Sequence, residues 1–452
     1  MAKKKLTIEE KLQAALVPAE EQPYKVPENW CWVRLGSIST NQYGYSAKAI
    51  YDSNYPRMLR ITDIKEDGVD WKSVPNCVID DETKEKYLLQ TDDIVVARTG
   101  ATTGKSYLLV NPDNAVFASY LIRLRITREV LPSYIYLFLQ SSLYWNQITD
   151  LAAGIAQPGV NSSKLLTLMV PLPEKGEQSR IVARIESLFA KLDEAKEKIQ
   201  EVLDGADLRR AAILHQAFTG KLTEKWRREN GVSDDSRETS NVKSICNSLK
   251  YGTAKKSVQD GDVAVLRMGN LQNGEIDWGS LVYSNDQDDI EKYSLKDGDV
   301  LFNRTNSAEL VGKTSIYRGE RPAIYAGYLI KLDYKRDKII GDFFNYMLNS
   351  PKAKEYCNKV KTDGVNQSNI NAKKIGAFEF DVPTILEQQE IVRLLDNLLS
   401  REQSTVTACE EALTTIDTLK KSILARAFRG ELGTNDPSDP SAKELLREIL
   451  SA

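Results

Sequence analysis

Residues 171–189 read PLPEKGEQSRIVARIESLF, and residues 381–399 read DVPTILEQQEIVRLLDNLL. Both stretches lead to a matching end, ILHQAFTGKL at 213–222 and ILARAFRGEL at 423–432, with a constant offset of 210 residues. This period is far longer than the roughly 20–50 residues of a solenoid repeat. It therefore indicates a duplicated domain, each copy followed by a duplicated long helix.

The duplication extends upstream into the two regions that precede these helices. The offset stays at 210 residues for Gln157, Asn161 and Lys164, and further upstream it falls to between 206 and 208, as differences in loop length would produce. The matching pairs are DDIVVARTG at 92–100 with GDVLFNRTN at 298–306, GKS at 104–106 with GKT at 312–314, and YLI at 120–122 with YLI at 328–330. Because these matches are short and scattered, the globular regions have diverged further than the helices.

Composition is that of an ordinary soluble protein, with 41% hydrophobic and 28% charged residues. No apolar run approaches the roughly 18 residues that span a membrane, and the N-terminal MAKKKLTIEEKLQAAL predicts no signal peptide. The five cysteines are scattered without CxxC spacing, which favours a reducing, cytoplasmic location and no metal site. A formal net charge of −3 gives no support to nucleic-acid binding by the surface as a whole.

Short β-branched and aromatic runs between turn signals predict an α+β region from about residue 30 to 170. One helical stretch is expected within it, at 132–153. The second half repeats the scheme, with its helical stretch at 342–360. Short helices are also predicted at 7–16 and 442–450.

The two long helices carry apolar residues in alternating steps of four and three, which is typical of a coiled-coil seam. The seam is regular in the first helix and weaker in the second. A surface helix packed only on its own domain is the alternative, but two such helices in one chain most simply pack on each other. The predicted seam comprises Ile185, Leu188, Leu192, Ile199, Val202, Leu395, Leu398, Ile416, Leu419 and Ile423.

Catalytic and cofactor motifs are not recognisable. TGATTGKS resembles a phosphate-binding loop, but only three residues separate Gly100 from Gly104, and such a loop needs four. The single histidine, His215, corresponds to Ala425 in the second copy, so it is not expected to be a catalytic base. The sequence therefore predicts no catalytic residue, no metal and no cofactor bound by this chain.

Polar and basic side chains at matching places in both halves are the candidate binding residues. Side chains of these types contact base edges and phosphates in protein–DNA complexes. The alternative is that they form turns and helix caps in both copies. The candidates are Arg60, Arg98, Thr99, Thr102, Lys105, Gln157, Asn161, Lys164, Arg267, Asn303, Arg304, Asn306, Lys313, Gln367, Asn371 and Lys374.

Taken together, these motifs resemble those of the DNA-specificity (S) subunit of type I restriction–modification enzymes, over essentially the whole chain. The second half departs at its start, where VKSICNSLKYG replaces the fuller motif of the first half. The motifs are PEKGEQSRIV with AFTGKL, PTILEQQEIV with AFRGEL, YKVPENWCWVRLG at 24–36, LTEKWRREN at 222–230 and GELGTNDPSDPSAKELLREI at 430–449.

The resemblance implies an α+β fold with two pseudo-symmetric target-recognition domains, separated by two long antiparallel helices that form a coiled coil. Each domain would read one half of a bipartite, asymmetric double-stranded DNA site, and this chain would not be an enzyme. The helices would dock two methyltransferase subunits, which use S-adenosylmethionine for N6-adenine methylation. Two restriction subunits, which use ATP and Mg²⁺, can join them for DNA cleavage. The competing interpretation is a duplicated coiled-coil interaction scaffold that binds no DNA.

The domain organisation follows from the same motifs. We expect an N-terminal helix and arm at 1–22, target-recognition domain 1 at 23–172, the central conserved spacer helix at 173–222, a linker at 223–242, target-recognition domain 2 at 243–382, the second conserved spacer helix at 383–432, and a C-terminal tail with a short helix at 433–452.

Overall fold

The structure is a computed structural model that describes residues 7–65, 68–152, 159–365 and 367–451. The chain divides into two compact units, which we call unit 1 (Met1–Lys198 with Glu411–Ala452) and unit 2 (Ile199–Glu410). Each unit contains one α+β region and a part of both long helices.

The first α+β region and the first long helix begin the chain. Their elements are α1 Ile8–Ala15, β1 Cys31–Arg34, β2 Ser39–Tyr43, β3 Arg57–Leu59, β4 Ile64–Lys65, β5 Gly68–Val69, α2 Asp81–Tyr87, β6 Ile94–Ala97, β7 Ser106–Leu108, β8 Ala115–Phe117, β9 Leu121–Ile126, α3 Pro132–Phe138, α4 Ser142–Ala152, α5 Ser162–Leu166, β10 Met169–Leu172, α6 Lys175–Asp204 and α7 Ala206–Phe218.

The second region and the second long helix follow the same order. Their elements are α8 Glu224–Asn230, β11 Glu238–Asn241, α9 Val242–Ile245, β12 Cys246–Tyr251, β13 Val263–Leu266, β14 Leu271–Gln272, β15 Glu275–Ile276, β16 Tyr283–Ser284, α10 Gln287–Tyr293, β17 Val300–Asn303, β18 Thr305–Asn306, β19 Thr314–Ile316, β20 Ala323–Tyr325, β21 Leu329–Tyr334, α11 Gly341–Leu348, α12 Pro351–Val360, β22 Thr362–Asp363, β23 Ser368–Asn369, α13 Ala372–Gly376, β24 Glu379–Val382, α14 Ile385–Ala427 and α15 Ala442–Ser451.

The two regions share one sheet topology. An antiparallel four-stranded sheet has the order β2-β9-β6-β7 in unit 1 and β12-β21-β17-β19 in unit 2. A parallel pair, β3 with β8, corresponds to β13 with β20. An antiparallel pair formed by the first and last strands, β1 with β10, corresponds to β11 with β24. The predicted duplicated α+β fold is confirmed.

The segment 223–242 differs from the linker expected there. It contains helix α8 and strand β11, and β11 pairs with β24 in the register that β1 adopts with β10. The second region therefore begins at β11, before the stretch at 243 where the sequence suggested its start. Pairing explains the difference, because a polar ETSN segment becomes a strand when a neighbouring strand satisfies its backbone hydrogen bonds.

The single helical stretch predicted in each region is divided into two helices in the structure, α3 and α4 in unit 1 and α11 and α12 in unit 2. In unit 2 the break falls at Ser350, whose hydroxyl accepts a hydrogen bond from the Ala353 N–H at 3.3 Å and so caps α12. Pro351 follows in the first turn of α12. Proline lacks the N–H that would continue α11, and it pushes the preceding residue out of the helical conformation.

The two ends of each long repeat contribute to different units. In the first copy, Ile181 is buried in the unit 1 core, whereas Ala217 is buried in the unit 2 core. In the second copy the assignment is exchanged, because Ile391 packs in unit 2 and Phe428 packs in unit 1. Phe428 meets the ring of Phe138 edge-on at 5.5 Å between centroids. Each unit is therefore completed by parts of both repeats.

The long helices run antiparallel, as predicted. In unit 2, Arg209 forms an ion pair with Glu402 at 2.7 Å. Further along the first helix, Leu214 shares a core with Leu395, so residue numbers rise along one helix as they fall along the other. The seam of the first helix follows the prediction, with Ile185 buried and its other predicted positions half-buried.

The seam of the second helix follows the prediction except at Leu419: Leu395 and Ile416 are buried, and Leu398 and Ile423 are half-buried. Leu419 is 44% exposed, so its assignment to the seam is wrong, while Leu399, which the prediction omitted, is only 7% exposed. The neighbouring Lys420 takes the inward position, where it pairs with Asp193 and lies 5.1 Å from the centroid of the Phe189 ring. A lysine, not the adjacent leucine, therefore faces the first long helix at this turn.

The burial of Ile416 and the exposure of Leu419 predict unequal losses of stability for two alanine substitutions in the same turn of the helix. We expect Ile416→Ala to destabilise the protein by about 2–4 kcal/mol, because Ile416 is 5% exposed and its removal leaves a cavity. Leu419→Ala should change stability by no more than about 0.5 kcal/mol. Equilibrium urea unfolding measures both, and equal losses would restore Leu419 to the seam.

The repeated glutamates at the start of the long helices lie in different surroundings. In unit 1, Glu177 is fully buried and accepts hydrogen bonds from Trp30 Nε1 at 2.9 Å and Thr434 Oγ1 at 3.3 Å. Burial raises the pKa of the Glu177 carboxyl, and the hydrogen bond from Trp30 opposes that rise only in part.

In unit 2, Glu387 is also fully buried, but it meets arginines. Its Oε1 accepts from Arg237, from Arg227 at 2.9 Å and from Thr223 Oγ1 at 2.7 Å. Burial alone would raise the pKa of this carboxyl, but the hydrogen bonds from Arg237, Thr223 and Arg227 outweigh it and hold the pKa below its ordinary value. One motif position therefore carries opposite electrostatics in the two units.

Among the described residues, no helix is both long enough and apolar enough to cross a membrane. No group of three or more His, Cys, Asp or Glu side chains is placed there to hold a metal ion.

Candidate nucleic-acid interface

In unit 1, three chain segments meet around Arg98, which directly follows strand β6. The N–H of Arg98 donates to the Tyr120 carbonyl at 3.0 Å, and the Arg98 carbonyl accepts from the Val160 N–H at 2.9 Å. One residue earlier, the N–H of Ala97 donates to the Lys105 carbonyl at 2.8 Å. We call residues 98–105, 118–121 and 159–161 the first loop cluster.

In unit 2, the same hydrogen bonds surround Arg304, which directly follows strand β17. The N–H of Arg304 donates to the Tyr328 carbonyl at 3.0 Å, and its carbonyl accepts from the Ile370 N–H at 2.8 Å. One residue earlier, the N–H of Asn303 donates to the Lys313 carbonyl at 2.8 Å. We call residues 304–313, 326–329 and 370–371 the second loop cluster.

Each arginine stacks on a tyrosine that the sequence analysis did not select. The guanidinium carbon of Arg98 lies 4.6 Å from the centroid of the Tyr43 ring, and that of Arg304 lies 4.9 Å from the Tyr251 ring. Both of these tyrosine hydroxyls accept an N–H from the first residue of a short helix, α5 at 2.8 Å and α13 at 2.9 Å. The stacking holds each arginine in one orientation.

The GKS and GKT repeats have a conformational cause. Gly104 and Gly312 adopt φ values of +89° and +92°, a region that favours glycine. A Cβ atom on Gly104 would also lie 2.9 Å from Ile148 Cγ2, and one on Gly312 would lie 2.9 Å from Cys357 Sγ. The backbone therefore requires glycine at both places, and the repeat does not imply a phosphate loop.

Several candidate residues face solvent on the first of the three segments. Thr99, Thr102 and Lys105 are exposed. The Lys105 ammonium has no hydrogen-bonding or ionic partner among the residues that the structure describes. Its counterpart Lys313 is half-buried and donates to Gln272 Oε1 at 3.0 Å. This surface offers hydroxyl groups and positive charge.

The two arginines that end the parallel strands are engaged within their own units. Arg60 binds Asp63 through two hydrogen bonds, Nε to Oδ2 at 3.0 Å and Nη2 to Oδ1 at 2.7 Å. In unit 2, Asn270 replaces that aspartate, and the Arg267 guanidinium makes one contact, to the Ser280 carbonyl at 3.4 Å. Arg267 therefore keeps more of its donor capacity than Arg60.

The repeated Asn-x-x-Lys pattern forms helix caps. The Oδ1 atoms of Asn161 and Asn371 accept the N–H groups of Lys164 and Lys374, at 2.8 and 2.9 Å, and so begin α5 and α13. The Lys164 ammonium donates to a carbonyl of α4 at 2.7 Å, and the Lys374 ammonium donates to a threonine hydroxyl of β22 at 2.6 Å. These contacts account for the repetition of all four residues.

The remaining candidates have varied positions. Asn303 is fully buried in β17, which lies between β21 and β19, so the structure does not place its side chain at the surface where DNA could reach it. Asn306 is half-buried, with Oδ1 accepting from the Ser307 N–H at 2.8 Å, and Gln367 is exposed. Gln157 lies outside the described residues.

Four tyrosines were missed as functional candidates: Tyr120 and Tyr328 in the loop clusters, and Tyr43 and Tyr251, which stack on the cluster arginines. A signal for them was present, because YG occurs at 43–44 and 251–252, and YLI occurs at 120–122 and 328–330, all with an offset of 208 residues. Aromatic residues near strands are usually explained by packing, so these matches pointed to the core. Arg98 and Arg304 connect the tyrosines to the loops, by backbone hydrogen bonds to Tyr120 and Tyr328 and by stacking on Tyr43 and Tyr251.

A family model describes both halves of the chain. The type I restriction modification DNA specificity domain matches residues 27–204 and 235–411. Among curated proteins, the chain is 28% identical to the type I restriction enzyme StySPI specificity subunit of Salmonella potsdam and to the EcoKI specificity subunit of Escherichia coli K12. Each alignment covers 90% of this chain and 90% of the relative.

Solved structures share the fold. The chain is similar to the HsdS subunit from Thermoanaerobacter tengcongensis, with a TM-score of 0.62 and 19% identity over 91% of this chain and 100% of that one. A chain from a structural study of complex assembly in a type I R-M system gives a TM-score of 0.67 at 18% identity, again over 91% and 100% of the two chains.

Proposed function

Because this chain belongs to the type I restriction–modification DNA specificity family, we propose that each unit reads one half of a bipartite, asymmetric DNA site through its loop cluster. The chain is the specificity subunit of such a system and does not itself carry the catalytic step. The DNA-free scaffold is not favoured by this family membership.

One observation carries the proposal. The two loop clusters share their hydrogen bonds to the backbone, while the loop residues that they present differ, TGATTGK in the first and TNSAELVGK in the second. Sequence is read by side chains at base edges, whereas the backbone sets the position of those side chains. The same backbone arrangement with different exposed loop residues suits two domains that read different half-sites. A DNA site made of two different halves is not palindromic.

The partners follow from the family rather than from any contact of this chain. DNA and methyltransferase subunits are the partners of a specificity subunit. We propose two methyltransferase subunits on the exposed faces of the long helices, with S-adenosylmethionine as their cofactor. Two restriction subunits would bring ATP and Mg²⁺. The long helices would act as the spacer, and the target-recognition domains would occupy about 23–172 and 238–382.

Methylation mapping tests the proposal directly. The chain is co-expressed with its methyltransferase subunit in a host without other adenine methylation, and N6-methyladenine is mapped across the genome. We expect one bipartite motif with two different halves and an unread spacer. A palindromic motif would contradict two distinct readers. Methylation that is identical with and without this chain would contradict its role in specificity.

Lys105 provides a test of the surface assigned to DNA. We expect Lys105→Ala to weaken binding to the mapped site and to random duplex by similar factors. The slope of the logarithm of the binding constant against the logarithm of salt concentration (the salt slope) should become shallower by about one. The matched control is Lys86→Ala in the same region, because Lys86 is exposed but already paired with Glu82 at 3.2 Å. Equal effects of the two substitutions would show that only net charge matters.

A further inference from the structure

Tyr120 and Tyr328 occupy the same place in the two units. Each is the second residue of a two-residue turn, in 118–121 and 326–329, closed by a hydrogen bond of 2.9 Å between the end residues. The side chains are 65% and 47% exposed. Neither hydroxyl has a hydrogen-bond partner within the described part of the chain. Large exposed tyrosines at equivalent places need a reason other than packing.

The arginines of the loop clusters hold these turns. The backbone N–H of Arg98 donates to the Tyr120 carbonyl at 3.0 Å, and the Arg98 guanidinium Nη1 donates to the Ser119 carbonyl at 3.4 Å. In unit 2, the backbone N–H of Arg304 donates to the Tyr328 carbonyl at 3.0 Å, and its Nη1 donates to the Gly327 carbonyl at 3.1 Å. Two consecutive carbonyls of each turn are therefore fixed by one arginine, which is itself stacked on a tyrosine ring.

We infer that Tyr120 and Tyr328 are DNA-backbone contacts, each donating its hydroxyl to a phosphate, and that Arg98 and Arg304 are the residues that position them. The inference rests on the proposed function. On this inference the two arginines do not read bases directly, because each guanidinium group already stacks on a tyrosine ring and donates to a backbone carbonyl.

A phosphate is favoured over a base because the two tyrosines are identical. Two readers of different half-sites cannot obtain their difference from a residue that is the same in both. The feature that both half-sites share is the sugar–phosphate backbone, and tyrosine hydroxyls are among its usual donors. These contacts would fix the register of each loop cluster on the duplex, while the differing loop residues distinguish bases.

The surroundings suit a phosphate. Lys105 is exposed on the adjoining segment and brings a positive charge to the first loop cluster, whereas Lys313, at the same place in unit 2, is half-buried and donates to Gln272. A turn fixed by two hydrogen bonds loses little conformational entropy when its side chain meets the ligand. The fixed backbone of each turn therefore favours a phosphate contact by its tyrosine over one by a residue on a mobile loop.

The first test removes only the hydroxyl. Tyr120→Phe and Tyr328→Phe should each weaken binding by about tenfold, equally for a random-sequence duplex and for a duplex carrying the mapped site, since a hydrogen bond to a charged group is lost. The methylated motif should stay the same. The matched control is Tyr51→Phe, because Tyr51 is 84% exposed and its counterpart in unit 2 is Gln259, the residue after Val258, which pairs with Tyr283 as Ile50 pairs with Asn76. This control should bind as the parent protein does.

The second test asks whether Arg98 acts through Tyr120. Arg98→Ala should weaken DNA binding when it is made in the parent protein. When it is made in the Tyr120→Phe variant, it should raise the dissociation constant by less than a further twofold. Its salt slope should remain that of the parent, whereas loss of a direct arginine–phosphate contact would lower the slope by about one. Arg98→Lys keeps the charge but not the paired donors, so it should not restore binding.

The outcomes separate this inference from the proposed function. If the parent complex methylates a bipartite motif but both Tyr→Phe variants bind both duplexes normally, the phosphate contact is wrong and the function stands. If the variants lose only the mapped site and keep random binding, the tyrosines read bases and the inference is overturned. A parent complex without any duplex binding would overturn both.

Discussion

Glu387→Gln is expected to destabilise unit 2 by about 3–5 kcal/mol. Glu387 is fully buried, and the side chains of Arg227 and Arg237 that share its Oε1 are only 8% and 13% exposed. Glutamine keeps an acceptor but removes the negative charge, so both buried guanidinium groups lose the carboxylate that they share. Urea unfolding followed by hydrogen exchange and mass spectrometry assigns the loss to unit 2.

The chain supplies its own matched control at the equivalent position. Glu177→Gln should change stability by no more than about 1 kcal/mol, because both partners are neutral: the amide oxygen can accept from Trp30 Nε1, and the amide nitrogen can donate to the Thr434 hydroxyl, which turns from donor to acceptor. The same substitution, 210 residues apart, should therefore be costly in one unit and mild in the other. Similar losses in both units would show that the arginines do not determine the cost.

The two carboxyls should also respond to pH in opposite directions. The lowered pKa of Glu387 means that its contribution is present above the ordinary glutamate pKa and is lost as pH falls through the folded value. The raised pKa of Glu177 means that its contribution is present below the ordinary value and is lost as pH rises through the folded value. On acidification, the Glu387 term weakens unit 2 while the Glu177 term strengthens unit 1.

Exchange of residues 24–172 for the corresponding residues of another family member should replace one half-site completely and leave the other unchanged. The graft must carry β1 and β10 together, because they pair with each other at the two ends of the region. Each base pair that the graft no longer reads costs about 1–3 kcal/mol, so binding to the original site should be lost. Methylation mapping of the exchanged protein measures the outcome.

The reciprocal exchange is the control. Residues 238–382, from β11 to β24, should carry the other half-site alone. Both grafts leave the long helices of this chain in place, so the spacer length should stay the same in both proteins. A single exchange that altered both half-sites would mean that the two regions do not read DNA independently.

The prediction of the second helical seam shows where sequence patterns fail. Periodicity ranked Leu419 as a seam residue because it is apolar and correctly spaced. In the structure Lys420 instead faces inward, where its ammonium forms an ion pair with Asp193 and lies over the Phe189 ring. A pairwise contact between residues 227 apart in the chain is invisible to a local pattern. Similarly, β11 could not be expected from a polar segment whose partner strand lies 141 residues further on.

The sequence alone determined the duplication, the α+β character of both halves, the long helices and the family resemblance, because each depends on local patterns or on matches within the chain. It did not determine which end of each long repeat belongs to which unit. Ile181 and Phe428, from different repeats, share the unit 1 core, while Ile391 and Ala217 share that of unit 2. Nor did it join Arg98 to the turn of Tyr120. Both arrangements arise from packing and hydrogen bonds between distant segments, and only the tertiary structure brings those segments together.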